Sequence, residues 1–321
     1  MVYESKFKIS LLALILLLCI SPYFFHSEYY FTLGITVCTF AVLSAGLNLL
    51  YGYIGLLSFA QVAFFGIGAY TSAILVTQNS WTIWTALPIA GIFTGIVGAF
   101  VGYTSLKLSR HAFAIVTLSF SLLCTIIARE WISLTRGSMG IPGLPAPTIN
   151  IPSLETIVLD RPNYLYPVFL IYTVLALFLF YRLGVSRIGR ALKAIKLDEP
   201  LASSQGINVL SHKILAIVVS AVLSGMVGGL FVFHLTIVDP SIFDFYYTES
   251  MLIMVIIGGP GSYWGVLCAS ILFSVIPDLL RFSSDLRMVA YGVLLIISVL
   301  ILPNGVAGFL RNRNNKRWKI H

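Results

Sequence analysis

Charge is scarce in this sequence. Only 10% of its 321 residues are Asp, Glu, Lys or Arg, against about 25% in a soluble domain. With 58% hydrophobic residues and a mean hydropathy of +0.95, an ordinary soluble surface is excluded. The length suits one polytopic membrane domain, residues 1–321. Reactive constellations are missing as well. Cys19, Cys38, Cys124 and Cys268 stand inside apolar runs without CxxC spacing, and the five histidines are scattered. Neither a metal site nor a disulfide framework is expected from them. HExxH, GxSxG and GxxxxGK[ST] patterns are absent, so no catalytic residue and no cofactor bound by this chain is expected, and it cannot hydrolyse nucleotide alone. Nor do the apolar runs carry charges at membrane depth, which argues against a proton-coupled carrier. Arg129-Glu130 comes closest, and an interfacial anchor is its plainer reading. The net charge of +8 reads as topological anchoring at lipid headgroups, without nucleic acid as a partner.

What is there is a series of runs long enough to cross a bilayer. They predict an all-α integral membrane protein of about ten segments (8–10): 9–25, 29–51, 59–77, 84–106, 111–130, 163–181, 212–235, 248–260, 264–280 and 286–303. The third and eighth adjoin Gly-rich stretches and read as broken, tilted or re-entrant. The first is read as a retained span, because no A-x-A-like cleavage site follows it. With ten spans and a cytoplasmic N-terminus, the inner side receives Lys6, Lys8, Lys107, Arg110, six bases between 182 and 213, and Arg311, Arg313, Lys316, Arg317 and Lys319. That is fifteen of the 20 Lys/Arg. The bias places both termini and the basic tail 304–321 in the cytoplasm. Residues 131–162, with five prolines, become an external loop of turns. Residues 236–248, mixing acids and aromatics, form a second one.

Two Gly-rich breaks interrupt the apolar pattern. In 46–73, Asn48, Ser58 and Gln61 sit among Gly46, Gly52, Gly55, Gly66 and Gly68. Backbone groups freed by a break at membrane depth must line a cavity or be buried in protein, and such groups can face a polar solute. Tight helix packing is the alternative reading of the same glycines. The second break, 256–270, opens with Gly258-Gly259-Pro260-Gly261-Ser262, a turn signal. Ser119, near the middle of its segment, is a further candidate for solute contact, although hydroxyls inside helices usually bond their own backbone.

The charged interruption at 182–213 is the other departure. RIGRALKAIKL, 187–197, spaces its bases Arg187, Arg190, Lys193 and Lys196 along one helical face. Asp198-Glu199-Pro200 follows, and a second short stretch ends at Gly206-Ile207-Asn208. One or two short helices along an aqueous face are predicted, on lipid headgroups or against a cytoplasmic partner.

The run from Gly189 to Leu230 resembles the coupling loop and following helix of the branched-chain amino acid ABC-importer permeases, LivM type. Gly189, Arg190, Ala191, Ala194, Ile195, Asp198, Glu199, Ala202, Gly206, Ile207 and Asn208 match that pattern in order. Lys196 stands where Arg is usual, and Pro200 and Ser203 depart from it. GLNLLYGYIGLLSFAQVAFFGIGAY, AIVTLSF, SLTRGSMGIPGLP, GGPGSYWGVLCAS and YGVLLIISVLILPNGVAGFL are similar to the same family, so the likeness covers about 40 to 310. It implies a permease subunit in a bacterial cytoplasmic membrane, paired with a second homologous permease, two cytoplasmic ABC ATPases that carry ATP-Mg, and an extracytoplasmic solute-binding protein. Gly189, Arg190, Lys193, Lys196, Asp198, Glu199, Gly206 and Asn208 would then seat on the ATPase. Asn48, Gly52, Gly55, Ser58, Gln61, Ser119, Gly258, Gly259, Gly261 and Ser262 are the candidates for the translocation pathway. The other reading is a stand-alone secondary carrier or channel for a small polar solute such as urea or an amide.

Overall fold

The computed structural model describes residues 27–149 and 157–279, with residue 293. The expected segments 9–25 and 286–303 and the tail 304–321 lie outside those residues, apart from that single position. Helices cover each of the other eight expected segments. They are α1 (Glu28–Leu47), continued as a π-helix (Asn48–Ile54), α2 (Gln61–Asn79), α3 (Ile83–Ser105) and α4 (Arg110–Glu130), followed by the short α5 (Ile132–Thr135). Then come α6 (Pro162–Val185), α7 (Arg187–Leu197), α8 (Glu199–Ser204), α9 (Val209–Leu235), α10 (Phe245–Gly258) and α11 (Tyr263–Leu279). Among the described residues, six stretches are long and apolar enough to cross a membrane: Glu28–Ile54, Ile83–Ser105, Arg110–Glu130, Pro162–Val185, Val209–Leu235 and Pro240–Gly258.

The longest helix, α9, is the centre of the bundle, and α1, α2 and α3 pack around it. Small residues set that closeness. A Cβ at Gly68 would collide with the carbonyl of Gly225, and one at Gly228 with the carbonyl of Phe65, so α2 and α9 touch backbone to backbone. Such contact is the main source of helix cohesion where lipid removes the hydrophobic drive. Gln61 adds a polar tie at the same junction. Its Nε2 donates to Ser224 Oγ at 2.5 Å, and its Oε1 accepts from Ser220 Oγ at 3.0 Å. All three are buried.

The outward faces of α4 and α6 are apolar: Ile115, Leu122, Leu123 and Ile126 on one, Ile171, Val174, Leu175 and Phe178 on the other are all exposed. At one end of the bundle the two expected external loops pair with each other. Strand Ile141–Pro142 runs antiparallel to Ile237–Val238, with Ile141 opposite Val238. A second ribbon pairs Thr148–Ile149 with Ile157–Val158. The described residues of 131–162 include the short α5 and two-residue strands, so that end is ordered by strand pairing. The 182–213 interruption occupies the other end, as the two helices α7 and α8.

Gly68→Val is expected to separate α2 from α9 and lower the melting temperature of the detergent-purified protein by several degrees. An unchanged melting curve would show that the crossing tolerates a side chain.

Candidate functional site

The site begins where α1 stops being an α-helix. Over Asn48–Ile54 the backbone widens into a π-helix and then reverses at Gly55, whose φ is 81°. π-Segments are rare and tend to occur at functional positions. Widening frees backbone groups that apolar surroundings cannot satisfy. Two remote segments supply their partners. Lys196 Nζ, from α7, donates to the Gly52 carbonyl at 2.8 Å. The Gly261 amide, from the turn between α10 and α11, donates to Asn48 Oδ1 at 2.8 Å, and Asn48 Nδ2 reaches the Ser262 carbonyl at 3.5 Å. Gly52 sits between them. A Cβ there would strike Asn48 Oδ1 and the Gly261 backbone, so only glycine permits this approach.

The turn itself is built by its sequence. Gly258 ends α10, Gly259 and Gly261 take φ of 95° and 88°, and Ser262 Oγ accepts from the Gly265 amide at 3.2 Å to start α11. The two Gly-rich breaks, about 200 residues apart in sequence, are therefore in direct contact.

The α7–α8 element lies against this junction. Ser186 caps α7 by accepting from the Gly189 amide, and Gly189 lies so close to α6 that a Cβ would meet the Leu183 and Gly184 carbonyls. Lys193 Nζ stands 4.7 Å from the centre of the Tyr53 ring, one turn from the Lys196 contact. Burial, and then the nearby Arg110 guanidinium, lower the Lys196 pKa from its ordinary value. Asp198 caps α8 through Leu201 N at 2.9 Å. Gly206 takes φ of 82° beyond α8, and Asn208 caps α9 by accepting from Ser211 N at 3.1 Å. Arg190 points away and donates to the Val185 carbonyl at 3.2 Å.

Glu199 anchors the element to the bundle. Its Oε1 lies 2.6 Å from Lys213 Nζ and 3.5 Å from Arg110 Nη2. Arg110 also donates to the Lys196 carbonyl at 3.4 Å. Lys213 is only 6% exposed, and lysine is almost never buried without a partner. Neither Arg110 nor Lys213 stood among the expected site residues. A lysine just inside a long apolar run, fourteen residues after an acid, was the available signal.

The remaining expected positions divide. Ser58 is buried in the 55–60 loop, where its Oγ accepts from the Ala60 amide at 3.4 Å. The adjacent Phe59 amide donates to Thr117 Oγ1 of α4 at 3.2 Å. Gln61 belongs to the α2–α9 serine tie, apart from the turn. Ser119 lies on the exposed face of α4, apart from both breaks. Three cavities accompany this framework. One of about 560 Å³ lies at α8, bounded by Arg110, Asp198, Glu199 and Lys213. One of about 430 Å³ is almost wholly apolar, between α2, α3 and α4. A third, about 610 Å³, lies between α4 and residues 239–248.

A bundle of apolar helices, with a broken helix held by a charged peripheral element, defines a polytopic membrane protein. Residues 29–300 match the family described as branched-chain amino acid transport system / permease component. The chain is 32% identical to the high-affinity branched-chain amino acid transport system permease protein LivM of Escherichia coli K12, over 95% of this chain and 76% of that one. It is 31% identical to LivM of Salmonella typhimurium over the same shares. It is also 27% identical to LivH of Salmonella typhimurium, over 86% of this chain and 93% of that one. No solved structure matches. The chain belongs to the branched-chain amino acid transport permease family.

Glu199→Gln would leave the Lys213 ammonium buried without its counter-charge, a loss of about 1–3 kcal/mol. Thermal unfolding in detergent should show the drop. Asp198→Asn, which retains a capping oxygen, should change stability by less than about 0.5 kcal/mol. Equal effects of the two would refute the assignment of Glu199 as the anchor.

Proposed function

We propose that this chain is the transmembrane permease subunit of an ABC importer that moves branched-chain or related amino acids across a bacterial cytoplasmic membrane. In this reading it pairs with a second permease of similar fold. Two cytoplasmic ATPases carry the ATP-Mg, and an extracytoplasmic binding protein delivers the solute. The chain crosses the membrane about ten times with both termini inside, as the bias of its basic residues favours. Residues 187–208 are the coupling element.

The observation that carries this reading is the two-sidedness of α7–α8. One side is tied through Lys196 and Lys193 to the π-segment, and through Glu199 to α4 and α9. The other side presents bare leucines: Leu197 is 86% exposed and Leu201 59%. A charged element in water gains nothing by exposing them. A groove on an ATPase would bury them, each contributing about 1.5–3 kcal/mol. Movement of the ATPase would then reach the broken helix through contacts two residues deep. Asn48, Gly52, Gly55, Gly258, Gly259, Gly261 and Ser262 form the part of the pathway that this motion displaces. Ser58, Gln61 and Ser119 are its flanking candidates.

Leu197→Asp tests the docking face. Because Leu197 is 86% exposed and reaches only the rim of the cavity at Arg110 and Glu199, the variant should insert and fold normally. It should lose co-purification with the ATPases, and leucine uptake by the co-expressed transporter should fall at least tenfold. Normal co-purification and uptake would rule out this face as the seat.

A further inference from the structure

The 610 Å³ cavity between α4 and residues 239–248 lies at the end of the bundle opposite the coupling element, and it has a distinct chemistry. Arg129 lines one wall, and Asp239 and Asp244 line another, with the hydroxyls of Ser121, Thr125 and Thr248 below them. Charges of both signs share the space, yet Arg129 makes no ion pair among the described residues; their two ion pairs both belong to Glu199. Each aspartate uses Oδ1 locally. Asp239 accepts from the Ser241 amide at 2.7 Å, and Asp244 from the Tyr246 amide at 3.1 Å. Those bonds fix the carboxylates in place, where their second oxygens are free of any bond to side chains of the described residues. A guanidinium held apart from two fixed carboxylates suits one ligand class in particular, a molecule that carries both an anion and a cation.

We infer that this cavity is a recognition site for the zwitterionic head of an amino acid on its way into the pathway. Arg129 receives the α-carboxylate, for which its planar fork is suited. Asp239 and Asp244 receive the α-ammonium. Leu118, Leu122 and Phe245, on the same walls, give an aliphatic side chain an apolar surface. The volume is within the usual range of small-molecule sites, about 300–1,000 Å³. The inference rests on the proposed transport of amino acids and deepens it: a neutral solute such as urea would leave these charges unmatched.

The test uses the whole transporter, permease pair, ATPases and binding protein, reconstituted with L-leucine as the probe. Leucine uptake is measured beside ATP hydrolysis stimulated by the loaded binding protein. Arg129→Gln removes the cation. Asp239→Asn with Asp244→Asn removes the anions and keeps both caps, since Asn caps as well as Asp. Each is expected to lower uptake about tenfold, the order of one lost charge-assisted bond, while stimulated hydrolysis stays within twofold of wild type. Arg129→Lys, which keeps the charge but not the planar fork, should recover only part of the uptake. Uptake within twofold of wild type in both neutralised proteins would overturn the inference. So would joint loss of uptake and hydrolysis, which would mark these residues as structural. A wild-type transporter that takes up no leucine fails the amino-acid reading itself, and that result is read before any variant is compared.

Discussion

The fold turns on one carbonyl that its own helix leaves unpaired and a distant lysine satisfies. A helix in apolar surroundings satisfies its own backbone, and any departure leaves polar groups that cost several kcal/mol each if unmatched. At Asn48–Ile54 the first described helix makes such a departure. The Gly52 carbonyl then takes a lysine from the peripheral element, while Asn48 takes an amide from the 259–262 turn. Three segments far apart in sequence converge because each has a group the others lack. The glycine at 52 is what lets the turn come that close.

Much of this was legible beforehand, for identifiable reasons. The eight helices that cover the expected segments within the described residues follow from apolar runs, whose signal is strong. The pair of short helices at 187–204 follows from the spacing of the bases and from Asp198-Glu199-Pro200, where Asp198 caps as its type suggests. Both Gly-rich breaks were visible as local anomalies. Their contact was not, because no local pattern encodes a partner 213 residues away. Lys193 and Lys196 were legible as a basic face suited to water or headgroups. In the fold, that face lies partly against Tyr53 and Gly52, and Leu197 and Leu201 stand exposed, as do Arg187 and Arg190. Gln61 was legible as a polar residue at a break, but its ties to Ser220 and Ser224 were not, because that helix lies 159 residues further on. Arg129 read as an interfacial anchor for a similar reason: Asp239 and Asp244 reach its cavity only once the 236–248 loop has folded back.

The strengths of the contacts sort them into fixed and adjustable. Lys213 with Glu199 is short and mostly buried, and breaking such a pair leaves a stranded charge, so it is costly to open. Arg110 is about half exposed and lies 3.5 Å from the same carboxylate. Pairs of that kind contribute roughly 0–1 kcal/mol and are easily remade. The Lys196 bond to Gly52 falls between these, since burial and Arg110 already disfavour the charged amine. The element is thus pinned at α9 and loosely held at α4 and the π-segment.

That distribution gives α4 a particular place. Its 21 residues span about 30 Å. At its first turn, Arg110 meets Glu199 and the Lys196 carbonyl. Two turns on, Thr117 holds the Phe59 amide in the loop after the π-segment. At its last turn, Arg129 lines the mixed-charge cavity. Its other face, Ile115, Leu122, Leu123 and Ile126, is apolar and exposed among the described residues. A small shift of α7–α8 would be opposed by only weak contacts at Arg110, and any tilt of α4 as a rigid body would be felt at Arg129. One helix therefore touches the α7–α8 element, the loop after the break and the charged cavity, so these three share a single rigid support.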